Sequence, residues 1–256
     1  MTIVAEHGAY GGDVQLEIAI QDVAGVRIAA TMGADRVELC SALSLGGVTP
    51  SAALIASVVD ATALPVHVLV RPRPGDFTYS IDEVDVVLAD VRFAVSAGAA
   101  GVVVGALNRD RTIDADTLAR IREAAGDALV TFHRAFDLVP DPSLTLDKLS
   151  DHGVHRVLTS GGASSAVDGT QAIARLVLAS SGRIEIMAGG GVTIESIARF
   201  GQVGVDAVHL SAKRVRTIPG GYRLGSGSQE GSMEWDETDP HLVARARVAI
   251  DLSGSR

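Results

Sequence analysis

A single cysteine, Cys40, excludes any disulfide within the chain, and no Cys-x-x-Cys pair is present to hold a structural zinc. Aromatic residues make up only 4%, so stacking platforms for nucleic-acid bases are scarce. Basic residues are also short: 22 Lys and Arg face 31 Asp and Glu, giving a net charge of −9 and a pI near 5.2. That balance disfavours nonspecific binding to nucleic acid or anionic membranes. No stretch approaches the roughly 20 apolar residues needed to cross a bilayer. The start, MTIVAEHGAYGGD, carries Glu6 and has neither a basic segment nor a sustained apolar run, unlike a secretory leader. The expectation is a cytoplasmic protein in a reducing compartment, with neither nucleic acid nor membrane as a partner.

What remains is an ordinary globular composition, 47% apolar and 21% charged over 256 residues. Residues 1–13 read as a flexible N-terminal arm, with no periodicity, and 14–256 as one domain. From Val14 the chain alternates strand-like with helix-like segments. Strands are expected at 14–20, 36–40, 66–71, 101–105, 128–133, 156–159, 184–188 and 207–211. Amphipathic helices are expected at 22–32, 51–62, 82–97, 115–125, 144–152, 168–180, 193–200 and 240–251. Eight such units predict an α/β fold, a single (β/α)8 TIM barrel. The rival is a doubly wound open sheet, which would want a GxGxxG after its first strand; none is there.

Strand parity sharpens the prediction. Leu16, Ile18 and Ile20 alternate with Glu17 and Ala19; Val66, Val68 and Val70 alternate with His67, Leu69 and Arg71. The aliphatic faces must meet the helices, because unpaired charge there costs several kcal/mol, on the order of a lost ion pair. The lumen therefore receives Glu17, Arg36, Glu38, Cys40, His67, Arg71, His133, Glu185 and His209. Arg36 and Glu185, early in their strands, are expected to be paired structural groups. Groups near the strands' C-terminal ends are the functional candidates, since that face carries barrel active sites.

The stretch Asp35–Cys40 ends a strand on Glu38 and the only thiol. Gly46-Gly47 and Thr49-Pro50 follow, with Thr49 suited to cap the next helix. Glu17 and Glu38 form a candidate acid/base couple or hard-metal site, or simply carboxylates neutralised by Arg36, Arg71 and Arg73. His133 ends the fifth strand, with Asp137 placed to orient it; His209 on the eighth strand is a second candidate. Arg71 and Arg73, in the stiff RPRPGDF loop, offer planar forks for carboxylate or phosphate, or Arg73 pairs internally with Asp76; Tyr79 adds a hydroxyl. Gly189, Gly190 and Gly191 open the seventh helix, where backbone N–H groups could face an anion or merely make a tight turn. Ser160, Gly161 and Ser211 supply further donors. Residues 212–239 are expected to form a long glycine-hinged lid.

The chain resembles the CutC family. The likeness runs through Leu16-Glu17-Ile18, ELCSALSLGGVTPS, Arg71-Pro72-Arg73 with Gly75-Asp76-Phe77, and TFHRAFD at 131–137. It continues through Leu158-Thr159-Ser160-Gly161, Met187-Ala188-Gly189 and Val208-His209 with Ser211. The resemblance implies a cytosolic TIM-barrel protein linked to copper homeostasis, with copper as cofactor or cargo and Cys40 as its soft metal ligand. The family's copper reading uses a second cysteine in the first strand, where this chain has Ala19 or Ile20. The residues themselves point to a barrel enzyme for a small anionic or phosphorylated molecule, with Glu17, Glu38 and His133 as acid/base groups. A homo-oligomer is compatible with either reading.

Overall fold

Short β-branched strands, each followed by an amphipathic helix that must cover it, leave the chain few ways to bury its apolar faces. In the computed structural model, which describes residues 14–221 and 231–254, the units close into one parallel barrel. The expected arm, residues 1–13, lies outside the described residues. The strands are β1 (Gln15–Ile20), β2 (Arg36–Leu39), β3 (Val66–Leu69), β4 (Gly101–Val104), β5 (Leu129–Phe132), β6 (Arg156–Thr159), β7 (Glu185–Ala188) and β8 (Ala207–Leu210). Each pairs with the next, and β8 pairs back onto β1. The helices are α1 (Val23–Thr31), α2 (Ala52–Asp60), α3 (Ile81–Ser96), α4 (Ala115–Ala125), α5 (Pro142–Asp151), α6 (Thr170–Ser180), α7 (Ile197–Val203) and α8 (Pro240–Gly254).

The hydrophobic core is a ring between strands and helices. Leu16, Ile18, Val37, Leu39 and Val68 are fully buried there against Val26, Ala29 and Val58. Helix α3 shows how the pattern works: Val84, Val87, Leu88 and Val91 face inward at helical spacing. Its start is fixed by a reciprocal pair, in which Glu83 N–H donates to Ser80 Oγ and Ser80 N–H donates to Glu83 Oε2.

Three local expectations are corrected. Thr49 does not cap α2; Ser51 does, accepting from Leu54 N–H, while Thr49 Oγ1 accepts from the Arg71 N–H. Helix α7 starts at Ile197, after a 3-10 turn at Ile194–Ser196, and has only seven residues, so the glycine run does not abut a long helix. The long connection is an antiparallel hairpin, β9 (Lys213–Gly221) with β10 (Gly231–Thr238). Lys213 is ion-paired to Asp236 at 2.6 Å, and Arg216 to Glu237 at 3.0 Å. Of the glycines expected to hinge that connection (Gly220, Gly221, Gly225, Gly227 and Gly231), Gly225 and Gly227 lie outside the described residues.

Candidate active site

Parity sends a charged set into the lumen, and the register decides its partners. Glu17 on β1 is level with Arg36 on β2 and His209 on β8. Arg36 Nε donates to Glu17 Oε2 at 2.6 Å, its Nη1 to Gln15, and its Nη2 to Met187 Sδ at 3.3 Å. Glu185 is not the partner of Arg36: it binds Arg156, whose Nε lies 2.7 Å from Glu185 Oε2. Arg156 also donates to Thr131 Oγ1. His67 beside it is held neutral, its pKa pushed down to about 3 chiefly by burial.

Above this layer stands a three-residue relay. His209 Nδ1 is 2.7 Å from Glu17 Oε1, and its Nε2 is 3.6 Å from Glu38 Oε2. Burial works against the Glu17 charge, but Arg36 and His209 outweigh it and hold the carboxyl well below its usual range. His209 is shifted the other way: burial opposes its charge, yet Glu38 and Glu17 win and raise its pKa. Glu38 is pushed up to about 7 by burial, which outweighs the opposing His209 charge, with a smaller push from the Glu17 charge. The two carboxyls are thus pushed apart, Glu17 below its ordinary range and Glu38 up toward neutrality, the arrangement that separates a fixed charge from an acid/base group.

Glu38 opens into a cavity of about 330 Å³ at the C-terminal mouth. Arg71, His133, Arg134, Gly190, Gly191, His209 and Ser211 also line it, between walls that include Leu69, Phe77 and Leu158. Glu17 is fully buried below and does not reach this space. His133, only 6% exposed, accepts the Ala135 N–H at Nδ1, so its proton sits on Nε2. That Nε2 is buried and has no partner among the described residues. Burial and then the Arg71 charge push the His133 pKa down to about 3, so the ring is a neutral donor. Arg71 is 7% exposed and donates to the carbonyls of Leu45, Gly47 and Gly75. Its guanidinium lies 5.1 Å from the Phe77 ring centroid. Among the described residues no carboxylate neutralises it, whereas Arg36, Arg73, Arg134 and Arg156 all have one.

Other expected contributors are placed elsewhere. Arg73 turns outward to Asp76 and Glu83 and does not line the cavity. Tyr79 is likewise absent from the lining. Asp137 does not orient His133. It accepts from Thr159 Oγ1, Ser160 N–H, Ser160 Oγ and Gly162 N–H, and from Arg134 Nε at 2.8 Å. The donors expected to greet an anion after β6 are therefore spent on this carboxylate, and Gly161 N–H donates to Thr159 Oγ1. Gly189 N–H is spent on the Thr159 carbonyl. Gly190 and Gly191 N–H groups have no acceptor among the described residues, and both residues line the cavity.

Three features escaped the sequence reading. Arg134 lies on Gly190, where an added Cβ would come within 2.7 Å of its Cζ. Gly101 and Gly105 make room for rings: a Cβ there would approach His67 to 3.1 Å and His133 to 2.2 Å. A small residue at an inward strand position beside a histidine-bearing strand was the available signal. The third is Arg156, whose inward parity matches that of its strand neighbours.

Cys40 is fully buried, packed with Leu69 and Val103, and its Sγ faces the Ile20 carbonyl at 3.7 Å. Burial, then the Glu38 charge, raises its pKa. It does not line the cavity, and Ala19 and Ile20 nearby bring no donor atom. Among the described residues no three His, Cys, Asp or Glu side chains are grouped to hold a metal ion. Nor is any described helix long and apolar enough to cross a membrane.

Comparison with known proteins fits this geometry to a lineage. The barrel of thiamine phosphate pyrophosphorylase from Pyrococcus furiosus superposes with a TM-score of 0.57 over 94% of this chain and 96% of that one, at 15% identity, which is a likeness of fold alone. The crystal structure of CutC from Streptococcus agalactiae, whose name refers to copper homeostasis, gives a TM-score of 0.74 at 30% identity, covering 77% of this chain and 98% of that one. A CutC family protein of Pasteurella multocida (strain Pm70) is 40% identical over 243 residues, 93% of this chain and 99% of that protein. The family's own sequence pattern matches residues 14–214, from the first barrel strand to the start of the hairpin. The chain belongs to the CutC family.

Proposed function

We propose that this CutC protein binds a small anionic molecule at the barrel mouth and exchanges a proton with it through Glu38. One observation carries this reading: a buried arginine without a carboxylate partner and a carboxyl poised near neutrality open into the same cavity. A buried guanidinium held by carbonyl dipoles and an aromatic ring keeps its full charge, and an incoming carboxylate or phosphate neutralises it. Gly190 and Gly191 N–H groups add donors without adding charge. Glu17 and His209 set the ionisation of Glu38 and act as positioning groups. A reducing, cytosolic setting belongs to the same reading.

Copper, which the family's name brings to mind, fits these residues poorly. Cu(I) wants two or more soft donors. The one thiol is enclosed in an apolar pocket with its pKa raised, and no second thiolate stands on β1.

Calorimetric titration with phosphorylated sugars and small organic acids tests the anion reading. Saturable binding by the wild type, weakened in Arg71→Gln while the circular dichroism spectrum is kept, supports it. Absence of binding across both classes, or equal affinity in Arg71→Gln, overturns it.

A further inference from the structure

The anion reading leaves open what the proton transfer achieves, and three placements narrow it. Glu38 on β2 and His133 after β5 lie three strands apart in an eight-stranded ring, so a ligand between them is flanked on both sides. Their chemistry differs. Among the described residues Glu38 is approached only by His209 Nε2 at 3.6 Å, beyond a good hydrogen bond, so its oxygens are free to take a proton. The buried Nε2–H of His133, a residue of the cavity wall, has no acceptor among the described residues, and Ala135 N–H fixes the tautomer by donating to Nδ1. A lone donor facing a base across a ligand polarises an oxygen while the base works on the adjoining carbon.

Covalent activation through an amine is poorly served by this chain. It has two lysines, Lys148 and Lys213. Lys148 lies on α5, away from the lining; Lys213 does line the cavity, but its ammonium is ion-paired to Asp236 on the hairpin at 2.6 Å and so held in its charged, non-nucleophilic form. A carbonyl substrate would therefore be activated by hydrogen bonding rather than as an iminium ion. The apolar walls, Leu69, Phe77 and Leu158, keep the local dielectric low, which strengthens that bond.

We infer that the cavity is built for enolisation: Glu38 removes a proton from the carbon beside the carbonyl of a small anionic hydroxy-carbonyl compound, His133 Nε2–H donates to the carbonyl oxygen, and Arg71 with the Gly190 and Gly191 amides holds the anionic group. This rests on the anion reading above and names its substrate class. In the step, the C–H bond breaks and its proton goes to a Glu38 oxygen. The C–H electron pair becomes the new C=C bond, and the carbonyl π pair moves onto oxygen as the enolate. Return of the proton to the same carbon on either face gives back the compound or its epimer; return to the neighbouring carbon, with one proton shifted between the two oxygens, gives the isomer. No oxidant, reductant or second substrate is consumed. The pairing of a carboxylate base with a neutral histidine donor is one that isomerases of small sugar phosphates use.

Hydrogen–deuterium exchange tests it. Wild-type protein is incubated in D2O with dihydroxyacetone phosphate, ribose 5-phosphate and hydroxypyruvate in turn, and proton NMR follows the signal beside each carbonyl. Phosphoglycolate, which carries the anion but no such carbonyl, reports binding alone by calorimetry. The expected result is deuterium entry into at least one compound, lowered 10²- to 10⁴-fold in Glu38→Gln with binding retained. His133→Ala should also slow exchange more than it weakens binding. If a compound binds but exchanges no faster than in buffer, enolisation is wrong and the anion reading stands. Exchange unaltered in Glu38→Gln removes Glu38 as the base. If neither the carbonyl compounds nor phosphoglycolate bind, both readings fall.

Discussion

His209 Nδ1 lies 2.7 Å from Glu17 Oε1, on the neighbouring strand and in register with it. The short contact spends one ring nitrogen on a fixed carboxylate and turns the other toward Glu38. It binds the charge state of the mouth to the buried Arg36–Glu17 pair beneath. A change at Glu38 is therefore felt by a relay, not by a solitary side chain.

Glu38 should leave a mark on the pH dependence of stability. Its pKa is about 7 in the fold against 4.5 for the ordinary group. Between those values the unfolded chain holds fewer protons than the native one, so stability falls as pH rises from about 4.5 to 7. His209, also raised, adds a loss of the same sign as pH climbs through its folded value. Glu38→Gln removes the first contribution and should narrow the stability difference between pH 5 and pH 8 by up to about 3 kcal/mol. Urea denaturation of both proteins at the two pH values checks this. Parallel behaviour would show that Glu38 titrates as an ordinary carboxyl.

Arg71 acts on both the ligand and His133. Arg71→Gln should weaken anion binding by roughly 1.5–3 kcal/mol, the worth of a charge-assisted hydrogen bond. It should also let the His133 pKa rise, because a neighbouring positive charge is lost. The imidazole signals followed by NMR across pH read this second effect directly. No movement of His133 would mean that burial alone keeps it neutral.

Cys40 should behave as a buried apolar group. In the native protein the thiol should resist an aromatic disulfide reagent at pH 8 and react at once in urea. Cys40→Ser should keep the fold and lose about 1–2 kcal/mol, since a hydroxyl enters an apolar site. Cu(I) competition against a chelator should show weak binding that is indifferent to this substitution. Tight stoichiometric binding abolished by Cys40→Ser would restore the copper-carrier reading.

Asp137 carries a structural load that a loop position alone would not suggest. Asp137→Ala should cost roughly 2–4 kcal/mol, because Arg134, Ser160 and Gly162 lose a common acceptor in a partly buried setting. Thermal unfolding measures it. A loss below about 0.5 kcal/mol would mean that water replaces the carboxylate freely.

The barrel was legible because strand parity is a local property. Glu17, Glu38, Arg71, His133 and His209 announce their face by alternating with Val, Ile and Leu, and the closed register follows from eight such strands. Pairing was legible only in part: Arg36 with Glu17 and Arg73 with Asp76 stood among the alternatives and are found, but the choice between Glu17 and Glu185 for Arg36 was not. Arg36 takes Glu17 and not Glu185 because the stagger between strands sets the level of each residue, and no single strand records that stagger. The same limit applies to Ser160 and Gly161. Their donors look available in sequence, and only the folded loop shows them spent, Ser160 on Asp137 arriving from the β5 loop and Gly161 N–H on Thr159 Oγ1. The hairpin at 213–238 was hidden by its glycines, which read as hinges.

The Asp137 carboxylate amounts to a ligand tethered to its own binding loop. Its effective concentration is fixed by the chain, so no buffer anion can dilute it and added salt competes with it poorly. The loop after β6 needs no substrate to take its shape, and substrate would meet it already set. The ordering entropy that a mobile phosphate loop spends on each binding event is spent here once, during folding, together with the rest of the barrel.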